Sequence, residues 1–161
     1  MKRLLTIAAI AALLIGCTAQ QPAPVVEDNT PGFVLSDENV EVKIGEDGAL
    51  LSLINKETGH NYASGEGLWR MFYNTHEEKE MQIDGTENTP EVSQEGDVII
   101  ITYKDLVHRG KALKMGLTLT VKVEDGAVRF GSEVSNNEPG TIIRELQYPL
   151  VGNMKLPEGH K

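Results

Sequence analysis

At 161 residues with a formal charge of −9 and an isoelectric point near 4.9, the chain is acidic and long enough for one domain with a real core. An acidic surface repels phosphate backbones, so nucleic acid is a poor partner. A single cysteine rules out a disulfide framework and metal centres of the cysteine type.

The N-terminus reads as an export segment. Lys2 and Arg3 precede an apolar run from Leu4 to Ile15, and the small residue Gly16 stands before Cys17. A basic region, a short apolar stretch and a small residue match a secretory signal, and the run is well short of the roughly 20 residues that span a bilayer. Leu14-Ile15-Gly16-Cys17 resembles the lipobox of bacterial lipoproteins. The resemblance implies removal of residues 1–16 and acylation of Cys17; an ordinary secretory peptide is the alternative. Without Lys2 and Arg3 the rest carries a formal −11. The expected membrane contact is therefore the lipid rather than a basic patch, each buried CH₂ contributing about 0.8 kcal/mol. Thr18 stands where an aspartate would argue for inner-membrane retention, which favours the outer membrane of the cell envelope.

Residues 17–32 read as a flexible tether. Thr18 to Pro31 contains three prolines and no helical or strand period. At about 3.1 Å per residue, an extended segment of this kind reaches some 40 Å.

Beyond it the period is two. Val40, Val42 and Ile44 alternate with Glu41 and Lys43, and Gly45-Glu46-Asp47-Gly48 turns the chain into Ala49 to Ile54, which predicts a hairpin. Asn55 to Gly59 is the next turn, and Leu68 to Tyr73 is an apolar-aromatic strand. Weaker strands are expected at Met81 to Ile83 and around Val92. The β-branched run Val98 to Tyr103 predicts a strand covered on both faces. The clearest alternation follows: Leu113, Met115, Leu117, Leu119, Val121 and Val123 face one way, Lys114, Gly116, Thr118, Thr120 and Lys122 the other. Asp125-Gly126 closes this strand onto Val128, Phe130, Ser132 and Val134, and a last strand is expected from Thr141 to Leu150. Eight or nine short strands with Gly and Asp at the turns predict an all-β antiparallel sandwich over residues 33–153, with 154–161 as the start of a linker or a truncated end.

Two segments, DGALLSLINKETGHNY from Asp47 to Tyr62 and NNEPGTIIRELQYPLVGN from Asn136 to Asn153, resemble the N-terminal galactose-mutarotase-like β-sandwich, or supersandwich, of large bacterial glycoside hydrolases. Leu68 to Tyr73 fits the same module. The resemblance implies a carbohydrate-processing protein in which a catalytic barrel follows this domain and holds the acid and base carboxylates. It implies no catalytic residue, cofactor or metal in this chain, and the histidines and glutamate of true mutarotases do not map onto His60, His76 or His108.

Carbohydrate binding commonly uses an aromatic face against the sugar's C–H surface, with polar groups on the hydroxyls. Trp69 and Tyr73, four apart on one strand face, could form such a platform with Arg70 on the opposite side. The favoured alternative is that Trp69, Met71 and Tyr73 are simply core, and an aromatic content of 5%, low for a dedicated lectin, tilts the balance that way. His76-Glu77-Glu78-Lys79-Glu80 reads as a solvated charged loop, because neighbouring ligands on a loop do not make a site. His108-Arg109-Gly110-Lys111 reads as an exposed hairpin tip, with a grip on an acidic sugar as the sharper alternative.

Three functions follow from these readings. The first is a lipid-anchored, non-catalytic, carbohydrate-associated domain at the front of a glycoside-hydrolase-like protein. The second is a small stand-alone lipoprotein that binds a partner protein or an envelope polymer. The third is an enzyme acting alone on a sugar, for which the residue spacing gives no constellation.

Overall fold

The computed structural model describes residues 30–63, 67–152 and 154, and among these the chain is an all-β antiparallel sandwich with no α-helix. The export segment, Cys17, nearly all of the tether, Asn153 and residues 155–161 lie outside the described residues.

The first sheet is a meander of β1 (Gly32–Ser36), β2 (Val40–Gly45), β3 (Leu50–Asn55) and the two-residue β4 (His60–Asn61). Its β2–β3 hairpin is the predicted one, with a register shift between Lys43 and Ile44. β1 was not anticipated; it begins at Gly32 opposite Gly45, at the boundary read as tether. A Cβ at Gly32 would sit 2.5 Å from the Ile44 carbonyl oxygen, so this pairing requires glycine.

β5 (Arg70–Asn74) and β6 (Met81–Asp84) pair with each other. A single 3₁₀ turn at Gly85–Glu87 then leads to β7 (Glu91–Glu95) and β8 (Val98–Tyr103). The short β9 (Val107–His108) and β10 (Lys111–Ala112) form a small hairpin. β11 (Met115–Glu124) and β12 (Ala127–Asn136) are the longest strands, and β13 (Ile142–Gln147) returns to pair with β5. Thirteen strands are thus described where eight or nine were expected, three of them only two residues long.

The order β12-β11-β8-β7 makes one four-stranded layer, and β13-β5-β6 makes a three-stranded sheet. One core joins them to the meander: Val42, Ile44, Leu50, Met71, Tyr73 and Ile83 share a buried cluster with Ile99, Ile101, Tyr103 and the inward row of β11. That row is the predicted one. Met115, Leu117, Leu119 and Val121 are buried, while Gly116, Thr118, Thr120 and Lys122 on the other face are half-buried.

β8 departs from expectation. Ile99, Ile101 and Tyr103 are buried, but Val98, Ile100 and Thr102 on the other face are only half-buried. β-Branched residues suit any pleated, partly shielded surface, so their density signals a strand without specifying cover on both faces.

The β11–β12 hairpin turns through Asp125 (φ 53°) and Gly126 (φ 76°), the two left-handed residues of a type I′ turn. Asp37 ties this turn to the meander. Its Oδ1 accepts from the backbone N–H groups of Asn39 (2.8 Å) and Val40 (2.9 Å), and its Oδ2 accepts from that of Gly126 (2.9 Å). After β13 the chain folds back inward. The Tyr148 hydroxyl donates to the Thr120 carbonyl at 2.9 Å, its ring meets Phe130 edge-on, and Leu150 N–H donates to the Leu68 carbonyl at 2.8 Å.

Candidate functional site

Trp69 and Tyr73 share a face, as their spacing requires, but that face is the inner one. Trp69 is fully buried, edge-on to Tyr103 at 5.1 Å, and Tyr73 is 1% exposed. Large rings lose most by staying in water, so the strand turns them into the core and neither offers a free face to a ligand. Gly85 makes room for the indole: a Cβ there would lie 2.8 Å from Trp69 Nε1. Arg70 points the other way. Its Nε donates to Asp84 Oδ1 at 2.7 Å, and Gln82 Nε2 donates to Asp84 Oδ2 at 2.7 Å. Partial burial opposes ionisation of Asp84, but these two donors outweigh it and hold the carboxyl below its usual range. The three residues singled out from the sequence therefore do not form a sugar platform.

The structure gathers a different set. A hollow of about 430 Å³ is walled by the loop after β5, the β9–β10 hairpin and the turn before β13, with Tyr73, Met81 and Leu113 beneath. These walls are the His76 loop, the His108-Arg109-Gly110-Lys111 tip and the Glu138-Pro139-Gly140 turn, three segments that the sequence presents separately.

Each wall is fixed by local chemistry. Thr75 Oγ1 accepts from the backbone N–H groups of Glu77 (3.2 Å) and Glu78 (3.0 Å), and Glu80 N–H donates to Asn74 Oδ1 at 2.8 Å, which sets the loop. Arg109 (φ 51°) and Gly110 (φ 77°) form the tight turn between β9 and β10. Glu138 N–H donates to Asn136 Oδ1 at 3.1 Å, and Glu138 Oε2 accepts from the Lys114 backbone N–H at 2.8 Å. That backbone bond, followed by Lys111, holds the Glu138 carboxyl below its usual range against the opposing effect of desolvation.

Both cations of the hairpin tip are paired, while Glu77 on the wall makes no ion pair among the described residues. Arg109 Nη1 meets Glu78 Oε2 at 2.9 Å, and Lys111 Nζ meets Glu138 Oε1 at 3.5 Å. These bridges run between walls, so the hairpin tip leans on both other segments. His108 stands edge-on to Tyr73 with ring centroids 5.7 Å apart. Both of its ring nitrogens are buried, and neither has a hydrogen-bond partner among the described residues. Burial also raises the Tyr73 hydroxyl above its usual range. On the far side a Cβ at Gly140 would lie 2.9 Å from the His76 ring, so glycine lets that imidazole pack onto the turn.

A second hollow, of about 540 Å³, lies over the outer face of β8, β11 and β12, where Gly116 leaves a trough between Thr118, Ser135 and Lys104. It has no aromatic or imidazole side chain among its lining residues other than Tyr103, whose ring is in the core. Among the described residues no group of three or more His, Cys, Asp or Glu side chains is placed to hold a metal ion.

No family model matches the chain, and no curated protein is significantly similar to it.

Proposed function

We propose that this is a lipid-anchored envelope protein whose sandwich is a carbohydrate-associated domain, with the hollow beside His108 as its sugar-binding site. The observation that carries the reading is His108. Two buried ring nitrogens without partners cost free energy, and a sugar hydroxyl, donor and acceptor at once, supplies what they lack once the exposed hairpin tip yields to admit it. The walls suit the same ligand. Exposed ion pairs such as Arg109–Glu78 contribute little to stability, so a hydroxyl can insert between their partners at small cost.

The pairing also selects among sugars. With both cations of the hairpin tip facing carboxylates, the hollow offers no uncompensated positive charge to a uronate, and a neutral glycan fits better than an acidic one. The Glu138 wall belongs to the Asn136–Asn153 segment that resembles glycoside-hydrolase sandwiches, which supports the carbohydrate association. In that reading the chemistry on the glycan belongs to a catalytic domain beyond this one.

The test is a calorimetric titration of the full chain with neutral and uronate-containing oligosaccharides. Neutral glycans are expected to bind with Kd of about 1 mM or tighter. His108→Phe should weaken that binding at least tenfold while the circular dichroism is unchanged. Tighter binding of uronates would overturn the neutral preference, and no binding by either class would overturn the carbohydrate reading. For the anchor, Cys17→Ser should abolish palmitate labelling and leave uncleaved precursor. Equal labelling of the variant would remove lipidation from the proposal.

A further inference from the structure

β12 is the open edge of its sheet, paired on one side only, with β11. Sheet edges are normally guarded by proline, lysine, bulges or brevity, because unpaired backbone groups recruit other strands. β12 runs ten residues, AVRFGSEVSN, without proline, lysine or bulge. Its second half is exposed on both faces, and Val134, on the inward row, is 38% exposed.

We propose that β12 pairs antiparallel with β12 of a second copy of this chain, centred on Gly131, so that the two four-stranded sheets join into one. The register follows from the hairpin. The two-residue Asp125-Gly126 turn makes Glu124 and Ala127 a hydrogen-bonded pair, so Ala127, Arg129, Gly131 and Glu133 turn their backbone groups to β11. Val128, Phe130, Ser132 and Val134 turn theirs outward. Centring on Gly131 sets Val128 opposite the partner's Val134, and Phe130 opposite the partner's Ser132. All four outward residues of each strand then exchange hydrogen bonds.

The same register matches charge. Arg129 faces the partner's Glu133 on the outer face, twice by symmetry. Glu133 makes no ion pair among the described residues, and Arg129 is engaged only through Nε with Glu124. Sliding the pairing by two residues leaves both charges facing uncharged residues. Sliding it by four sets Arg129 against Arg129 or Glu133 against Glu133. On the inward side the exposed Val134 lands beside the partner's Val128 and Phe130, which the body of the sandwich already half-covers.

Disulfide trapping in the membrane-bound full chain tests both the occupant and the register. Arg129 and Glu133 lie four residues apart on one strand, about 13 Å, too far for a bond within one chain. Across the interface they form a non-hydrogen-bonded pair, the closer of the two antiparallel spacings. The Arg129→Cys/Glu133→Cys double variant is expected to give a covalent dimer on mild oxidation, while either single variant and the wild type, with its native Cys17, give none above background. Cross-linking of the singles at the same level as the double would overturn the register. The second measurement uses intact side chains. In detergent at about 50 μM chain, sedimentation velocity should show a dimer, Glu133→Arg should raise its dissociation constant at least tenfold, and Arg129→Glu/Glu133→Arg should restore it. A wild-type chain that stays monomeric there, with no cross-link in the double variant, would overturn the proposal, whatever other segment or protein covers β12.

Discussion

The two edges of the β12-β11-β8-β7 sheet are built on opposite rules. β7 is five residues long, follows Pro90, and places Glu91 and Glu95 on the outer face, the first paired with Lys104 at 2.8 Å. β12 is twice that length and carries one charge of each sign, symmetrically about a glycine. Like charges at both ends of a short strand repel any second copy that approaches it. Unlike charges equidistant from a centre do the reverse, since a two-fold operation brings each onto its complement. On the proposed pairing, one sheet is closed at one edge and receptive at the other without a change of backbone class.

The strand between the edges supports both of them, so damage there should erase the contrast altogether. Leu119→Ala removes a fully buried side chain from the middle of β11 and should cost about 2 to 5 kcal/mol, measured by chemical denaturation. Thr118→Ala, on the outer face, should stay within about 0.5 kcal/mol. Equal losses at the two positions would show that the faces have been misassigned.

A smaller effect should strike the β12 side alone. Asp37 holds the type I′ turn through Gly126, and its carboxyl lies below its usual value because the backbone N–H groups of Val40 and Asn39, and then Gly126, favour the charged form against desolvation. A carboxyl depressed by folding stabilises above its unfolded value, and that contribution disappears as pH falls through the lower folded value. Thermal midpoints should therefore fall on acidification below about pH 4. Asp37→Asn should lower the midpoint at neutral pH and flatten the acid slope. An unaltered slope would assign the acid sensitivity to other carboxylates, Glu138 and Asp84 first.

The smallest change in stability belongs to β7. Replacing its guards in Glu91→Thr/Glu95→Thr should alter folding free energy by no more than about 0.5 kcal/mol, because the Lys104 pair is exposed on both sides. Light scattering should nevertheless show new concentration-dependent association. A variant that stays as dispersed as the wild type would mean that length and Pro90 alone close this edge.

Legibility in the sequence followed locality. The β11–β12 hairpin was readable because strict alternation, an Asp-Gly turn and a ten-residue span all concern neighbours. β1 was missed because Pro31 and Gly32 look like tether, and only the close approach to Ile44 shows what that glycine does. Trp69 and Tyr73 were correctly placed on one face, but periodicity cannot distinguish an inner face from an outer one on a strand whose flanks are mixed. The hollow beside His108 was illegible for a different reason. Its three walls are loops at residues 75–80, 108–111 and 138–141, each polar and unremarkable alone, and the bridges Arg109–Glu78 and Lys111–Glu138 span 31 and 27 positions. No local period encodes such a meeting.

The late return of β13 gives the protein a timetable. β11 and β12 meet across a two-residue turn, whereas Ile142 must find Asn74 from 68 positions away. Short-range pairings form early and distant ones wait for the chain to close a long loop. The Glu138 wall belongs to the segment that arrives with β13, so the hollow is completed only when this long-range pairing forms, and loss of the pairing should open it. Amide hydrogen exchange should then run faster in β13 and its β5 partners than in β11, and a sugar held against Glu138 should slow it in β13 above all. A ligand at this site would act as a latch on the C-terminal strand.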